Sequence, residues 1–462
     1  MRELFTPSCA YHWKLLTIAA VTWLYLWSGP GEVLPAAGNT TSVPKDAQEA
    51  FDKHQYEQAL ERLAMLEKEQ GASPEVHRLK IRTYLKLGNP QDALGEYEKL
   101  ELALKQDEVP LLREVALGFI VVMVKDMREQ MRGAAYTALK EVDSDEVVPY
   151  FEDGLSDGSG PVRVLAVEGL GRSETGRKSA KLRAAIEDQA GLVKARAVKM
   201  LGRTGDPGVI SFVESATRDE LSTVRIAAYG ALIRLGKKEV WAQLQRAAET
   251  PNPEDRAEAI RTIAELKDQR GAPIMMESLT YKQPSVRGAA ARGLGHLGRK
   301  EARGQIEQLL KDPVPAVRES AAGGLAELGG PESVPALTQA LSDGNFTVRA
   351  SAIAALLRLG QPYSTVAATA QSLAQQNDMG MRASVAYALG KATKANASGA
   401  ISLLSGLTAD PLPGPKIVAL RSLGHIGDRE LVPLLKEALH DTNEAVRATA
   451  AGALLHIMVL KT

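Results

Sequence analysis

"SVRGAAARGLGHLGR", residues 285–299, holds seven alanines and glycines, and its pattern returns as "TVRASAIAALLRLGQ" at 347–361. With the basic residue as marker, Arg132, Arg163, Lys194, Arg225, Arg256, Arg287, Arg318 and Arg349 follow one another at a constant spacing of 31. Arg382, Lys416 and Arg447 continue the series at spacings of 33, 34 and 31. The third residue after the marker is alanine in ten of eleven units, Val385 being the exception, and the seventh is leucine in all units but that of Ile263. Columns of this length identify a repeat array, in which no unit can bury its apolar stripe alone and neighbours must stack.

Each unit carries helix punctuation. Apolar positions fall at helical spacing in stretches such as "ESVPALTQALSD", 332–343, and a short polar turn then precedes a second helix that opens near the marker. Pro161, Pro253, Pro284 and Pro315 stand where a first helical turn tolerates the missing N–H. Gly205, Gly236, Gly298, Gly329, Gly360 and Gly427, eleven residues after their markers, are placed to end that helix in a left-handed conformation. The unit is a helical hairpin, and the alanine column lets neighbouring helices approach closely.

Bulk composition narrows the function. The 462 residues include 56 basic and 56 acidic side chains, so the chain is neutral, which argues against broad nucleic-acid binding. Aromatic residues make up only 5%, whereas glycines number 40, which suits close helix packing more than a deep aromatic pocket.

At the N-terminus, Arg2 and Lys14 precede the apolar run "LLTIAAVTWLYLW" at 15–27, and small residues follow at Ala36 and Ala37. Residues 1–37 read as a secretory signal peptide, because thirteen residues are short for a bilayer span of about 20. An uncleaved membrane anchor through 15–27 is the alternative. Either reading exports the protein, to the periplasm or the exterior. The single cysteine, Cys9, precedes the run, so the mature chain has no thiol for disulfides, nucleophilic catalysis or Cys-based zinc sites. Residues 38–45 are expected to be a linker.

Between 46 and 105, "HQYEQALERLAML" at 54–66 is echoed by "GNPQDALGEYEKL" at 88–100, with Ala59 and Ala93 34 residues apart. With Tyr84, Gly88 and Tyr97, this segment resembles a pair of tetratricopeptide repeats. From 110 to 462 the eleven units resemble HEAT repeats, specifically the short HEAT-like repeats of bilin lyase subunits. The expected fold is an all-α α-solenoid of about eleven stacked hairpins behind the tetratricopeptide-like helices. The resemblance implies an Asp six residues before the marker; Asp126, Asp157, Asp188, Asp219, Asp312, Asp343, Asp410 and Asp441 stand there. It further implies that Asp and Arg tie successive units together. The units of Arg256 and Arg382 are among those without the Asp, and the ladder is expected to break there. The 33- and 34-residue spacings are expected to place extra loop residues in "QQNDMGMR" and "ADPLPGPK".

Resemblance also brings enzymes to consider. Deoxyhypusine hydroxylase, built on HEAT repeats, binds iron through adjacent His-Glu pairs, and this chain contains no such dipeptide. Bilin lyase chemistry lacks a thiol here, and HEAT-like DNA glycosylases need a basic face that a neutral exported chain is not expected to offer. No metal, cofactor or catalytic set is expected. The reading is a non-catalytic exported scaffold for a protein or extended peptide, with an enzyme or a lyase-like accessory subunit as the alternative. Membrane contact would come only from an uncleaved N-terminal segment.

One column exceeds what the repeat requires. Nine residues after the markers stand Glu141, Arg172, Arg203, Arg234, Glu265, His296, Glu327, Arg358, Lys391, His425 and His456. Cations near helix C-termini complement the macrodipole. Stacking would also align Arg172, Arg203 and Arg234 as a basic stripe for an acidic partner segment.

Overall fold

The computed structural model describes residues 45–459. The signal-peptide reading lies outside them, as does the expected linker apart from Lys45, which opens the first helix. Helices Lys45–Asp52, Tyr56–Gln70, Pro74–Lys86 and Pro90–Leu104 form two hairpins over the segment read as tetratricopeptide-like, and Gly88, with φ of 76°, makes the turn within the second. Helix Val109–Val121 follows and leads into the array.

Among the described residues, eleven marker-bearing helices make an inner layer: Glu129–Leu139, Gly160–Leu170, Gly191–Leu201, Ser222–Arg234, Pro253–Leu266, Pro284–His296, Pro315–Leu328, Phe346–Arg358, Met379–Leu389, Pro413–Ile426 and Glu444–Val459. Short outer helices such as Val148–Gly154, Ala272–Ser278 and Val334–Ala340 back them. The four marked prolines lie in the first turn of their helices. All six marked glycines have positive φ, from 68° to 97°. The leucine column is the core: Leu139, Leu170, Leu201, Leu294, Leu325, Leu356, Leu389, Leu423 and Leu454 are fully buried.

Glycine and alanine set the spacing of the inner layer. A side chain added at Gly202 would stand 2.6 Å from the Ala231 Cα, and one at Gly424 would stand 2.7 Å from the Ala453 Cβ. At Gly295 it would overlap the Gly324 carbonyl oxygen. The inner helices therefore approach backbone to backbone, while the bulkier outer helices spread, and the stack curves toward its inner side.

That curvature closes the array into a ring. The last helix, Glu444–Val459, packs against Val109–Val121 and against the first inner helix, Glu129–Leu139. Gly452 meets Ala138 there, with an added Cβ 3.2 Å from the Ala138 Cα. The remaining crevice between Ala138, Glu141, His425, Ala453 and His456 measures only about 10 Å³. Polar contacts surround this seam: Arg128 Nη2 to Glu444 at 2.5 Å, His425 Nε2 with Glu141 at 3.1 Å, and His440 Nε2 with Glu98 at 2.7 Å. Lys436 bonds Glu101 and Asp107, and its ammonium lies 5.5 Å from the Tyr97 ring centroid. The N-terminal hairpins thus brace the closure.

The Asp–Arg columns form the ladder that the resemblance implies. Arg163 donates through Nε and Nη2 to Asp188 at 2.7 and 2.8 Å, and its Nη1 holds the Asp157 carbonyl of its own unit. Arg132–Asp157, Arg287–Asp312, Arg318–Asp343 and Arg382–Asp410 repeat the forked pair. Lys194–Asp219 and Lys416–Asp441 make single contacts. Burial pushes the Asp188 carboxyl up, but the Arg163 hydrogen bond and the Ala190 N–H outweigh it and hold the pKa below its ordinary value. The rung is a charged, hydrogen-bonded pair.

Breaks occur where the Asp is missing, and the side chain deprived of a partner belongs to the preceding unit. Thr250 stands where the Asp partner of Arg225 would be, and Arg225 bonds only the carbonyls of Asp219 and Glu220. Arg349 likewise bonds only Asp343 and Gly344 carbonyls. A third break falls before Arg287, where Tyr281 occupies the Asp position and Arg256 stacks 4.5 Å from its ring centroid. Thr250 has φ −59° and ψ 149°, matching Asp188 at −59° and 145°. Thr250→Asp should therefore complete a rung with Arg225 and stabilise the protein by about 1 kcal/mol. Thermal unfolding of the variant measures it; an unchanged or lowered midpoint would contradict the geometry.

The expected loop insertions are corrected. Asp410 keeps its place six residues before Lys416, and Arg382 Nη1 holds the Gln376 and Asn377 carbonyls as its counterparts do. Both turns are of regular length. The extra residues lie upstream, in the turn that enters Ala367–Ala374 and in the ten-residue outer helix Ser398–Leu407.

Candidate functional site

The free face of the inner helices points away from the outer layer and lines the ring. Grooves on it are bounded by three successive inner helices alone. One, of about 230 Å³, is lined by Arg196, Lys199, Gly230, Arg234, Glu258, Arg261 and Glu265 among others. The next, of about 540 Å³, has a floor of Ala264, Gly288, Ala289 and Gly293 with Arg261, Arg292 and His296 at its edges. The charged residues among them stand two, five and nine positions after the markers, successive turns of one helical face.

Arg172, Arg203 and Arg234 are all exposed on this face. Partial burial of its guanidinium, followed by the charge of Arg203, lowers the Arg234 pKa from its ordinary value. Arg234 Nη2 donates to the Glu265 carbonyl at 3.1 Å. Arg172 instead lies within electrostatic reach of Glu141. The structure brings Arg203 and Arg234 together and leaves Arg172 nearer the seam.

Carboxylates on the inner face are consumed by cations. Glu168 bonds Lys140 at 2.8 Å and pairs with Arg196 at 3.3 Å, Glu258 pairs with Arg261 at 2.8 Å, and Glu327 meets His296 at 2.9 Å. Glu265 takes Lys199 from two units away, across the side-chain-free surface of Gly230. Glu141 takes His425 across the seam. By contrast, Arg172, Arg203, Arg292, Arg358 and Arg421 form no ion pair or side-chain hydrogen bond with a carboxylate. A neutral chain thus keeps a surplus of positive charge on its inner wall.

The sequence reading found the nine-residue column and missed Arg196, Lys199, Arg261, Arg292 and Arg421, at two and five residues after their markers. The same periodic register would have exposed them. His425 and His456 do meet, with ring centroids 5.9 Å apart, but at the seam. Among the described residues no three His, Cys, Asp or Glu side chains gather as metal ligands, and no helix is long and apolar enough to cross a membrane.

The HEAT-repeat family model matches residues 179–252, 242–304, 277–357, 304–390 and 402–459. It leaves the tetratricopeptide-like segment unassigned. No curated protein matches the sequence. Similar solved structures include human deoxyhypusine hydroxylase in complex with glycerol, 20% identical over 64% of this chain and 97% of that one, TM-score 0.26. A mutant of Kap121p is 14% identical over 90% of this chain and 55% of that one, TM-score 0.38. The CpcE–CpcF complex of phycocyanin lyase from Nostoc sp. PCC7120 is 19% identical over 59% of this chain and 93% of that one, TM-score 0.32. At these scores the neighbours carry no argument, and the family match stands on the sequence alone. The family match and the periodic hairpins agree: the chain belongs to the HEAT-repeat family.

Proposed function

We propose that the protein is a non-catalytic, exported scaffold that holds a protein or peptide partner, and that acidic groups of the partner meet the inner-face arginines. The observation that carries this reading is the set of guanidiniums left without carboxylates on a chain whose total charge is zero. Arg203 and Arg234 hold the same register position on consecutive inner helices, so one anionic segment can meet both. HEAT-repeat proteins commonly bind protein partners, which supports the same reading.

Changing Arg172, Arg203 and Arg234 together to Ser tests it. A binding surface requires that affinity for a Glu-rich peptide at low salt fall about tenfold or more on a folded ring, and that the parent's affinity weaken with added salt. If the three arginines serve only the helix dipoles, the triple variant loses a little stability and binds the peptide as the parent does.

A further inference from the structure

The closure of the ring turns its inner wall into a lumen of limited width. Eleven helix axes spaced about 8–10 Å apart lie on a circle roughly 30–35 Å across. Subtracting one helix diameter of 10–12 Å leaves an opening of about 20 Å. A folded domain of 100 residues, with a radius of gyration near 13 Å, does not enter it. A single helix, 10–12 Å wide, does, and it then stands about 5 Å from the wall on every side. Arginine side chains span that gap.

The unpaired arginines are distributed to suit such an occupant. Arg172 and Arg203 lie in the second and third units, whereas Arg292 and Arg358 lie in the sixth and eighth, on the far arc of an eleven-unit ring. All four are exposed. Arg172 of the second unit and Arg358 of the eighth stand nearly opposite each other across the lumen, six units apart one way round and five the other. Small residues are interspersed among them: Gly230, Ala289, Ser320 and Ala354 present little or no side chain, and the Arg292 guanidinium lies over Gly323. Glu168, Glu258, Glu265 and Glu327 also stand on the wall, each bound to a cation, and would face the continuous phosphate charge of a nucleic-acid duplex.

Resting on the reading above, we infer that the lumen receives one acidic helical or extended segment, threaded along the ring axis and held at once by arginines from opposite arcs. The partner is a protein with an exposed acidic segment whose folded part remains outside the ring.

The probe is a fluorescein-labelled 15-residue Glu/Ala peptide, roughly 22 Å long as a helix, and the readout is anisotropy at low salt. Two double variants of the full chain are compared, Arg172→Ser with Arg203→Ser and Arg292→Ser with Arg358→Ser; Arg→Gln versions stand in should either fail to fold. Threading predicts that each pair weakens binding by about tenfold, since one short peptide touches both arcs. Loss with one pair and none with the other would overturn the lumen seating while leaving acidic-peptide binding intact. No binding to the parent would sink the scaffold reading and this inference together. A 20-base-pair duplex that binds more tightly than the peptide, with the same dependence on both pairs, would assign the lumen to nucleic acid and overturn the inference.

Discussion

Leu325→Ala is expected to lower stability by about 2–5 kcal/mol, because the leucine is fully buried and the alanine leaves a cavity that packed helices fill only in part. The loss should be local. Leu325 sits in helix Pro315–Leu328, whose inner-layer neighbours are Pro284–His296 and Phe346–Arg358, and repeat units couple chiefly to those they touch. Hydrogen exchange should therefore quicken across these three helices and fade around the ring. Uniform loss of protection from residue 110 to 459 would show that the ring unfolds as one unit and would contradict nearest-neighbour coupling.

Gly452→Leu is expected to open the seam. An added Cβ alone would stand 3.1 Å from the Ala138 carbonyl oxygen, and leucine brings three further carbons toward backbone that cannot yield. Overpacking of this kind costs about 1–3 kcal/mol at the joint. Within its own helix leucine is favoured over glycine by up to about 1 kcal/mol, so helix content should hold while the joint fails. Small-angle scattering should show a larger radius of gyration with an unchanged far-ultraviolet circular dichroism spectrum. Gly304→Leu is the control, since open space surrounds Gly304 and neither quantity should move. An unchanged radius for the Gly452 variant would mean that the helices do not meet as described.

The hairpin, its caps and its ladder were legible in the sequence because each rests on a chemical requirement that recurs at a fixed position in many of the units. A proline opens the inner helix, a glycine with positive φ ends it, and an Asp–Arg pair joins it to the next. Even the ladder breaks were readable, although the absent Asp at Thr250 deprives Arg225 of a partner, not Arg256. Closure was not legible, because it depends on a small rotation per unit summed over eleven units, and no single residue encodes that sum. Its traces are long-range pairings such as Lys436 with Glu101, whose members share no pattern along the chain, and His425 with Glu141, which occupy the same column in the tenth and first units without any sign in the sequence that those units meet. The basic stripe was half legible: the column was found, but Glu265 and Glu327 interrupt it, and the cations at two and five residues after the markers gain meaning only when the inner wall faces itself. The placement of the two insertions was misjudged, since spacing between markers gives the length of a unit without saying which part of it has grown.

Ring closure is tested most directly by a zero-length carbodiimide cross-link read by mass spectrometry. Lys436 bonds Glu101 and Asp107 across the seam, whereas Lys416 bonds Asp441 at 2.6 Å between successive units, and the two lysine side chains are similarly enclosed, at 13% and 20% exposure. A closed ring predicts that Lys436 links to Glu101 or Asp107 within one chain, in yield comparable to the Lys416–Asp441 link. Abundant Lys416–Asp441 product with no intramolecular link from Lys436 would contradict closure and leave an open solenoid.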